Sequence, residues 1–318
     1  MIYDFNQEID RKRTSSLKWD GLDKVFGTPD AISMWVADMD FQSPEPVIDA
    51  LRRRVEHGVF GYVLREAYFD ALVAWFRDRH DWDISPKWLV NSPGVVPTLG
   101  LVIESYTTPG DKVLIQRPVY YPFANLVQNN GRMLVNNSLR LHDGRYTMNF
   151  EHLEQQLKDG VQLLILCNPH NPVGRVWSVE ELTTLGSLCR KYDVLVVSDE
   201  IHCDLALPGH TYTPFASICD EFAENSITCV APSKTFNLAG LQTAAAIIPN
   251  DALRRKYQTT LQRFGLGAGN VFGVIAADSA YRYGAQWLGA IADVSAGESG
   301  LYHSLYRVPL ARAERNAA

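Results

Sequence analysis

The sequence predicts an α/β protein built on a mostly parallel sheet flanked by helices, and three observations point there. From about Lys87 to Pro249, short β-rich runs alternate with amphipathic stretches. The stretch Ser178 to Tyr192 has a serine N-cap, Glu181 three residues later and apolar positions at helical spacing, so it reads as the crossover helix of a β-α-β unit. Polar, chemically competent residues follow several of the apolar runs, as expected where an open α/β sheet binds its ligand outside the carboxyl ends of its strands.

The strands are predicted at Asp111 to Gln116, Gln162 to Asn168, Asp193 to Glu200, Ser226 to Ser233 and Thr243 to Pro249. Four turns carry the chemistry: Arg117 with Pro118, Asn168 with Pro169, Asp199 with Glu200, and Ser233 with Lys234. Lys234 leaves the apolar run ITCVAPS, where desolvation lowers a lysine pKa and frees the amine as a nucleophile; in isolation it would be a surface lysine. Asp199 ends DVLVVSD, and a carboxylate there needs a cationic partner to stay ionised; by itself it would serve as a cap. NPHNPVG, Asn168 to Gly174, holds its backbone in a fixed turn that displays Asn171 rigidly. SPGVVPTLG, Ser92 to Gly100, puts a flexible step before a helix predicted to begin near Pro97, an arrangement able to cradle a phosphate.

Bulk properties exclude other classes. The 318 residues are 46% hydrophobic and 21% charged, enough for a large core in one or two domains. A net charge of −6 offers no footprint for nucleic acid or anionic membranes. No run of about 18 apolar residues suggests a membrane span, and the acidic, polar N-terminus does not read as a signal peptide. Five cysteines without C-x-x-C pairs read as reduced thiols, so a cytoplasmic protein is expected. Asp38 and Asp40 lack histidine partners, so no metal site is expected there but a strand-edge or capping role. Trp35, Tyr68, Trp75 and Phe76 are assigned to core and dimer interface.

Three ordered blocks, NPHNPVG, SDEIHCDL and APSKTFNLAGLQ, resemble the class I/II aminotransferase-like pyridoxal-phosphate (PLP) enzymes of fold type I. WVADMDF (Trp35 to Phe41) and HGVFGY (His57 to Tyr62) are similar to the MalY/PatB-type branch, the cystathionine β-lyases and carbon–sulfur lyases. The resemblance runs from near the start to about Trp287. It implies that Lys234 holds PLP as a Schiff base, that Asp199 pairs with the pyridine nitrogen, that Asn171 bonds the 3' oxygen and that Tyr120 stacks on the ring. It also implies that Gly94, Val95, Val96 and Ser233 meet the phosphate. In a homodimer, Tyr62 would cross to the partner's site, and Asn270 would reach across as well. His202, where many relatives carry tyrosine, and Gln242, where aminotransferases carry a phosphate-binding arginine, favour the lyase branch. For His202 two readings stand: a buried, hydrogen-bonded histidine, or a group near the 3' oxygen.

The resemblance therefore implies α,β-elimination from L-cystathionine or a related sulfur amino acid, with aminotransferase chemistry as the same-fold alternative and a non-catalytic PLP-binding chain as the other. The expected organisation is an N-terminal segment over residues 1–50, a large PLP-binding domain over 51–288, and an atypical tail over 289–318. That tail turns rich in Ala, Gly, Ser and Arg and stands where relatives place a small domain with a carboxylate-clamping arginine; a truncated small domain is expected, and Arg307, Arg312 and Arg315 have no flanking motif that matches the clamp.

Overall fold

The structure, a computed structural model of the chain, describes residues 3–297. Its centre is a sheet of seven strands: β1 (Leu89–Ser92), β2 (Lys112–Ile115), β3 (Met133–Asn136), β6 (Val161–Cys167), β7 (Leu195–Asp199), β8 (Ser226–Val230) and β9 (Ala244–Ile247). A small antiparallel hairpin, β4 (Arg140–His142) with β5 (Arg145–Thr147), stands apart from it. The sheet order is β1-β9-β8-β7-β6-β2-β3, and β9 pairs antiparallel to both its neighbours while the other pairs are parallel.

The predicted strands form within one to three residues of the expected bounds, and β1, β3 and the hairpin add to them. Alternation along β6 explains why both faces of the sheet are covered. Leu163, Ile165 and Cys167 join Leu99, Val102, Val113 and Val197 on one face, and Leu164 and Leu166 join Leu182, Leu185 and Val196 on the other. A strand buried on both faces reads as a near-continuous apolar run, as Leu163 to Cys167 of β6 does, while β8 is buried throughout and carries Ser226 and Thr228 inside the fold.

The crossover helix Val179–Lys191 carries the anticipated capping box, with the Ser178 side chain accepting from the Glu181 N–H and the Glu181 carboxylate from the Ser178 N–H. Helix Val95–Tyr106 starts two residues before the expected Pro97. Proline is tolerated in a first turn because the N–H it lacks would have no intrahelical acceptor there.

A third apolar cluster packs Leu89, Val230, Ala245 and Ile247 of the sheet against Tyr68, Leu72, Trp75 and Phe76 of helix Glu66–His80, together with Phe236, Tyr281 and Trp287. Tyr68, Trp75 and Phe76 are thus core residues, as expected. A helix at 285–297 follows and buries Leu288 and Ile291 against this cluster, so the packed chain continues across position 288. Arg307, Arg312, Arg315 and the rest of the tail beyond 297 lie outside the described residues.

Candidate active site at the strand ends

Chain direction reverses in the sheet between β2 and β6: from β2 the chain moves outward to β3, and from β6 it moves the other way through β7 and β8. The loops after β2 and β6 therefore part, opening a crevice at their carboxyl ends. A cavity of about 560 Å³ occupies it. Its walls include Val95 and Val96 at a helix N-terminus, Tyr120 after β2, Asn171 after β6, Asp199 at the end of β7, His202, and Lys234 after β8. Residues distributed over nearly 140 positions of sequence, as the numbering shows, thus meet around one space.

Asp199 pairs in register with Cys167 on β6 and Cys229 on β8, so its carboxylate sits between two buried thiols. One oxygen accepts from the Ile201 N–H at 3.2 Å. Burial pushes its pKa up to about 7, against the lowering effects of that hydrogen bond and of the Lys234 charge. A carboxylate so placed is an anion in need of a cation. Glu200, next in sequence, turns the opposite way: Ser198 Oγ at 2.7 Å, the Phe215 N–H at 3.0 Å and the Tyr212 hydroxyl all bond it within the fold.

Lys234 lies in the four-residue helix Pro232–Thr235, and its Nζ is 3.4 Å from the Ala37 carbonyl oxygen. Burial lowers its pKa, while Asp38 and then Asp199 act to raise it. His202 faces the same cavity, and its ring makes no hydrogen bond among the described residues, which goes against the hydrogen-bonded core reading. Burial, with the neighbouring Lys234 charge, pushes the imidazole down to about 4, leaving it neutral near pH 7. The phenol of Tyr120 is shifted upward by burial, then by Tyr121 and Asp199, so it stays protonated.

The twelve-residue helix Val95–Tyr106 points its N-terminus at the cavity, and the first N–H groups of a helix have no intrahelical acceptor. Gly94 caps that helix and Ser233 precedes Lys234, each one residue from a wall of the cavity. Gln242 is exposed and is not part of the wall. Two expected residues do not join the group. Tyr62 is 100% exposed. Asn270 caps helix Val271–Tyr283 through the Gly273 N–H at 2.6 Å and donates to the Leu241 and Gln242 carbonyls, so its amide is committed within its own chain.

Sequence reasoning missed the roof. Trp35, Val36 and Ala37 line the cavity, so Trp35, 38% exposed, is a wall of the site rather than core. Asp38 and Asp40 are neither edge nor capping groups: Arg11 pairs with both, Lys18 Nζ reaches Asp40 at 2.7 Å, and Trp19 Nε1 donates to Asp40 at 2.8 Å. Asn237 holds the same segment from behind, accepting from the Met39 N–H at 2.9 Å and donating to the Met39 and Phe41 carbonyls. The only local signal for this was the alternation of acids in WVADMDF, which does not name its partners.

The donor set fits PLP: an amine, a carboxylate needing a cation, an aromatic face, an amide and a helix N-terminus converge on one space. Comparison with known proteins agrees. The family model for aminotransferase class I and II matches residues 30–277. Cystathionine beta-lyase PatB of Bacillus subtilis (strain 168) is 50% identical over 286 residues, 89% of this chain and 74% of its own length. Protein MalY of Escherichia coli (strain K12) is 31% identical over 294 residues, 91% of this chain and 75% of its own. The crystal structure of cystalysin from Treponema denticola, which contains a pyridoxal 5'-phosphate cofactor, superposes with a TM-score of 0.93 at 36% identity, covering 97% of this chain and 79% of that one.

Proposed function

Since the chain belongs to the aminotransferase class I and II family, in its MalY/PatB branch, we propose that it is a PLP-dependent carbon–sulfur β-lyase. It converts L-cystathionine or a related cysteine S-conjugate, with water, into a thiol, pyruvate and ammonia. The observation that carries this reading is the convergence of Lys234 and Asp199 on one cavity with Tyr120, Asn171 and His202.

Bound PLP supplies an electron-accepting ring beside the Cα–H bond of the substrate. Lys234 would hold the cofactor covalently and, as the free amine, would take the Cα proton of the substrate on Nζ; its burial favours the neutral amine that a base requires. Asp199 would keep positive charge on the ring nitrogen. Tyr120 would cover a ring face and Asn171 would donate to the 3' oxygen, with neutral His202 in the same cavity. Gly94, Val95, Val96 and Ser233 would hold the phosphate without a guanidinium from position 242. Purified protein supplied with PLP is expected to release pyruvate and thiol from cystathionine with no keto acid present. Turnover that depended wholly on added 2-oxoglutarate would overturn the lyase reading.

The working unit of this reading is a homodimer in the cytoplasm, where the free thiols would stay reduced. Val59, Phe60, Tyr62 and Leu64 form an exposed apolar run between helices Glu45–His57 and Glu66–His80, the kind of surface a second copy covers. On that surface Tyr62 extends toward the partner's cavity. Because Leu64 is 82% exposed in one chain, Leu64→Asp should leave the protomer folded and turn the dimer into monomer by sedimentation velocity. A wild-type protein that sediments as a monomer at micromolar concentration would refute the dimer.

A further inference from the structure

Behind the cavity lies a buried carboxylate to which the proposed chemistry gives no task. Asp204, five residues after Asp199, has a side chain only 2% exposed. Its Oδ2 accepts from Thr235 Oγ1 at 2.8 Å. Its Oδ1 takes Trp75 Nε1 at 3.0 Å, His80 Nε2 at 2.9 Å and Arg79 Nε at 3.1 Å. His80, Cys203 and Asp204 have the residue types of a cation site, but a guanidinium and an indole N–H already point at the carboxylate, so the donor set is wrong for a metal.

Three parts of the chain meet at this group: helix Glu66–His80, the loop that follows Asp199, and the helix that bears Lys234. A helix of one turn has too few internal hydrogen bonds to hold itself, because nucleation fixes several dihedrals for each bond gained. Its place must come from outside. Thr235, fully buried, provides one anchor through Asp204, and Phe236 packs its ring edge-on against Trp75 at 5.4 Å, with Arg79 over the same indole. Asn237 provides the opposite anchor through Met39 and Phe41. Lys234 stands at the end of this braced segment.

We propose that Asp204 is a positioning residue, which through Thr235 fixes the lysine-bearing helix in register with the loop that carries Asp199. The inference rests on Lys234 being the cofactor lysine. It makes the buried hydrogen bond from Thr235 to Asp204 one of the contacts that set the distance between the cofactor's covalent anchor and its charge partner.

The test uses holoenzyme and the variants Thr235→Val, Thr235→Ser and Lys234→Ala. Three readouts are taken: the PLP dissociation constant, the pH midpoint of the absorbance of the lysine-bound cofactor, and the mass of the borohydride-trapped peptide. Losing one buried donor should weaken PLP binding in Thr235→Val by about tenfold and move the pH midpoint. Thr235→Ser, which keeps the hydroxyl, should restore both. Wild-type binding and midpoint in Thr235→Val, with or without reduced stability, would overturn the inference, as would a serine variant as defective as valine. Should Thr235→Val fail to fold, Trp75→Phe removes a donor to the other Asp204 oxygen; a shift in the same direction supports the inference and its absence refutes it. Trapping that persists in Lys234→Ala would instead overturn the lysine assignment itself.

Discussion

Lys234→Ala should bring pyruvate release from cystathionine down by about 10⁴-fold or more, because a positioned base alone accounts for about 10²- to 10⁴-fold and the same residue is also the proposed covalent anchor. No neighbour is placed to replace it. His202, the other nitrogen base in the cavity, is held neutral by burial with a pKa of about 4 and is a weaker base than a desolvated amine. Asp38 and Asp199 are carboxylates and cannot form the covalent link. The variant should also lose the visible absorbance of lysine-bound PLP, read directly in the spectrophotometer. A variant retaining a tenth of wild-type turnover would place the covalent chemistry on another lysine.

Asp199→Asn is the second large expectation, and it runs in opposite directions for activity and stability. With cofactor, removing the anion proposed to face the ring nitrogen should lower turnover by about 10²- to 10³-fold, as for loss of one preorganised electrostatic partner. Without cofactor, the same carboxylate is a burden. Its folded pKa is raised from 3.8 to about 7, mainly by burial. A raised acid stabilises the fold as the neutral form; that contribution is fully present below about pH 3.8 and is lost as pH rises through about 7. Thermal melts of the cofactor-free proteins should therefore diverge with pH, the wild type losing more stability than Asp199→Asn between pH 5 and pH 8. Glu200, raised likewise to about 7 mainly by burial, is present in both proteins; the Asp199 charge adds to its upward shift, so removing that charge changes the comparison in the same direction. Parallel melting curves across this range would show that Asp199 is not charged at such cost.

Local pattern made the central strands legible because a strand covered on both faces is dominated by consecutive apolar residues, as Leu163 to Cys167 of β6 illustrate. It missed β3, an edge strand whose residues are all partly or wholly exposed, and β1, where Asn91 and Ser92 interrupt the apolar signal despite being buried. The site divided along the same line. Lys234, Asp199, Asn171 and Tyr120 stand in motifs next to strands and could be read in sequence, and the structure brings them to one cavity. Trp35, Asp38 and Asp204 owe their places to partners far along the chain: Trp35 to Lys18, Asp38 to Arg11, Asp204 to Trp75 and Thr235. No periodicity reports such pairings. Tyr62 presents the complementary case, a residue marked in sequence by HGVFGY whose proposed task lies outside its own protomer and which is fully exposed within it.

The tie between Asn237 and the segment Met39 to Phe41 spans 198 residues. During synthesis, the roof of the cavity leaves the ribosome early, but the side chain that secures it emerges only after more than two-thirds of the chain has been made. Contacts of such separation form late in folding. The pocket is consequently among the last parts of the protein to be completed, because Lys234 and strand β9 emerge together with the side chain that secures the roof.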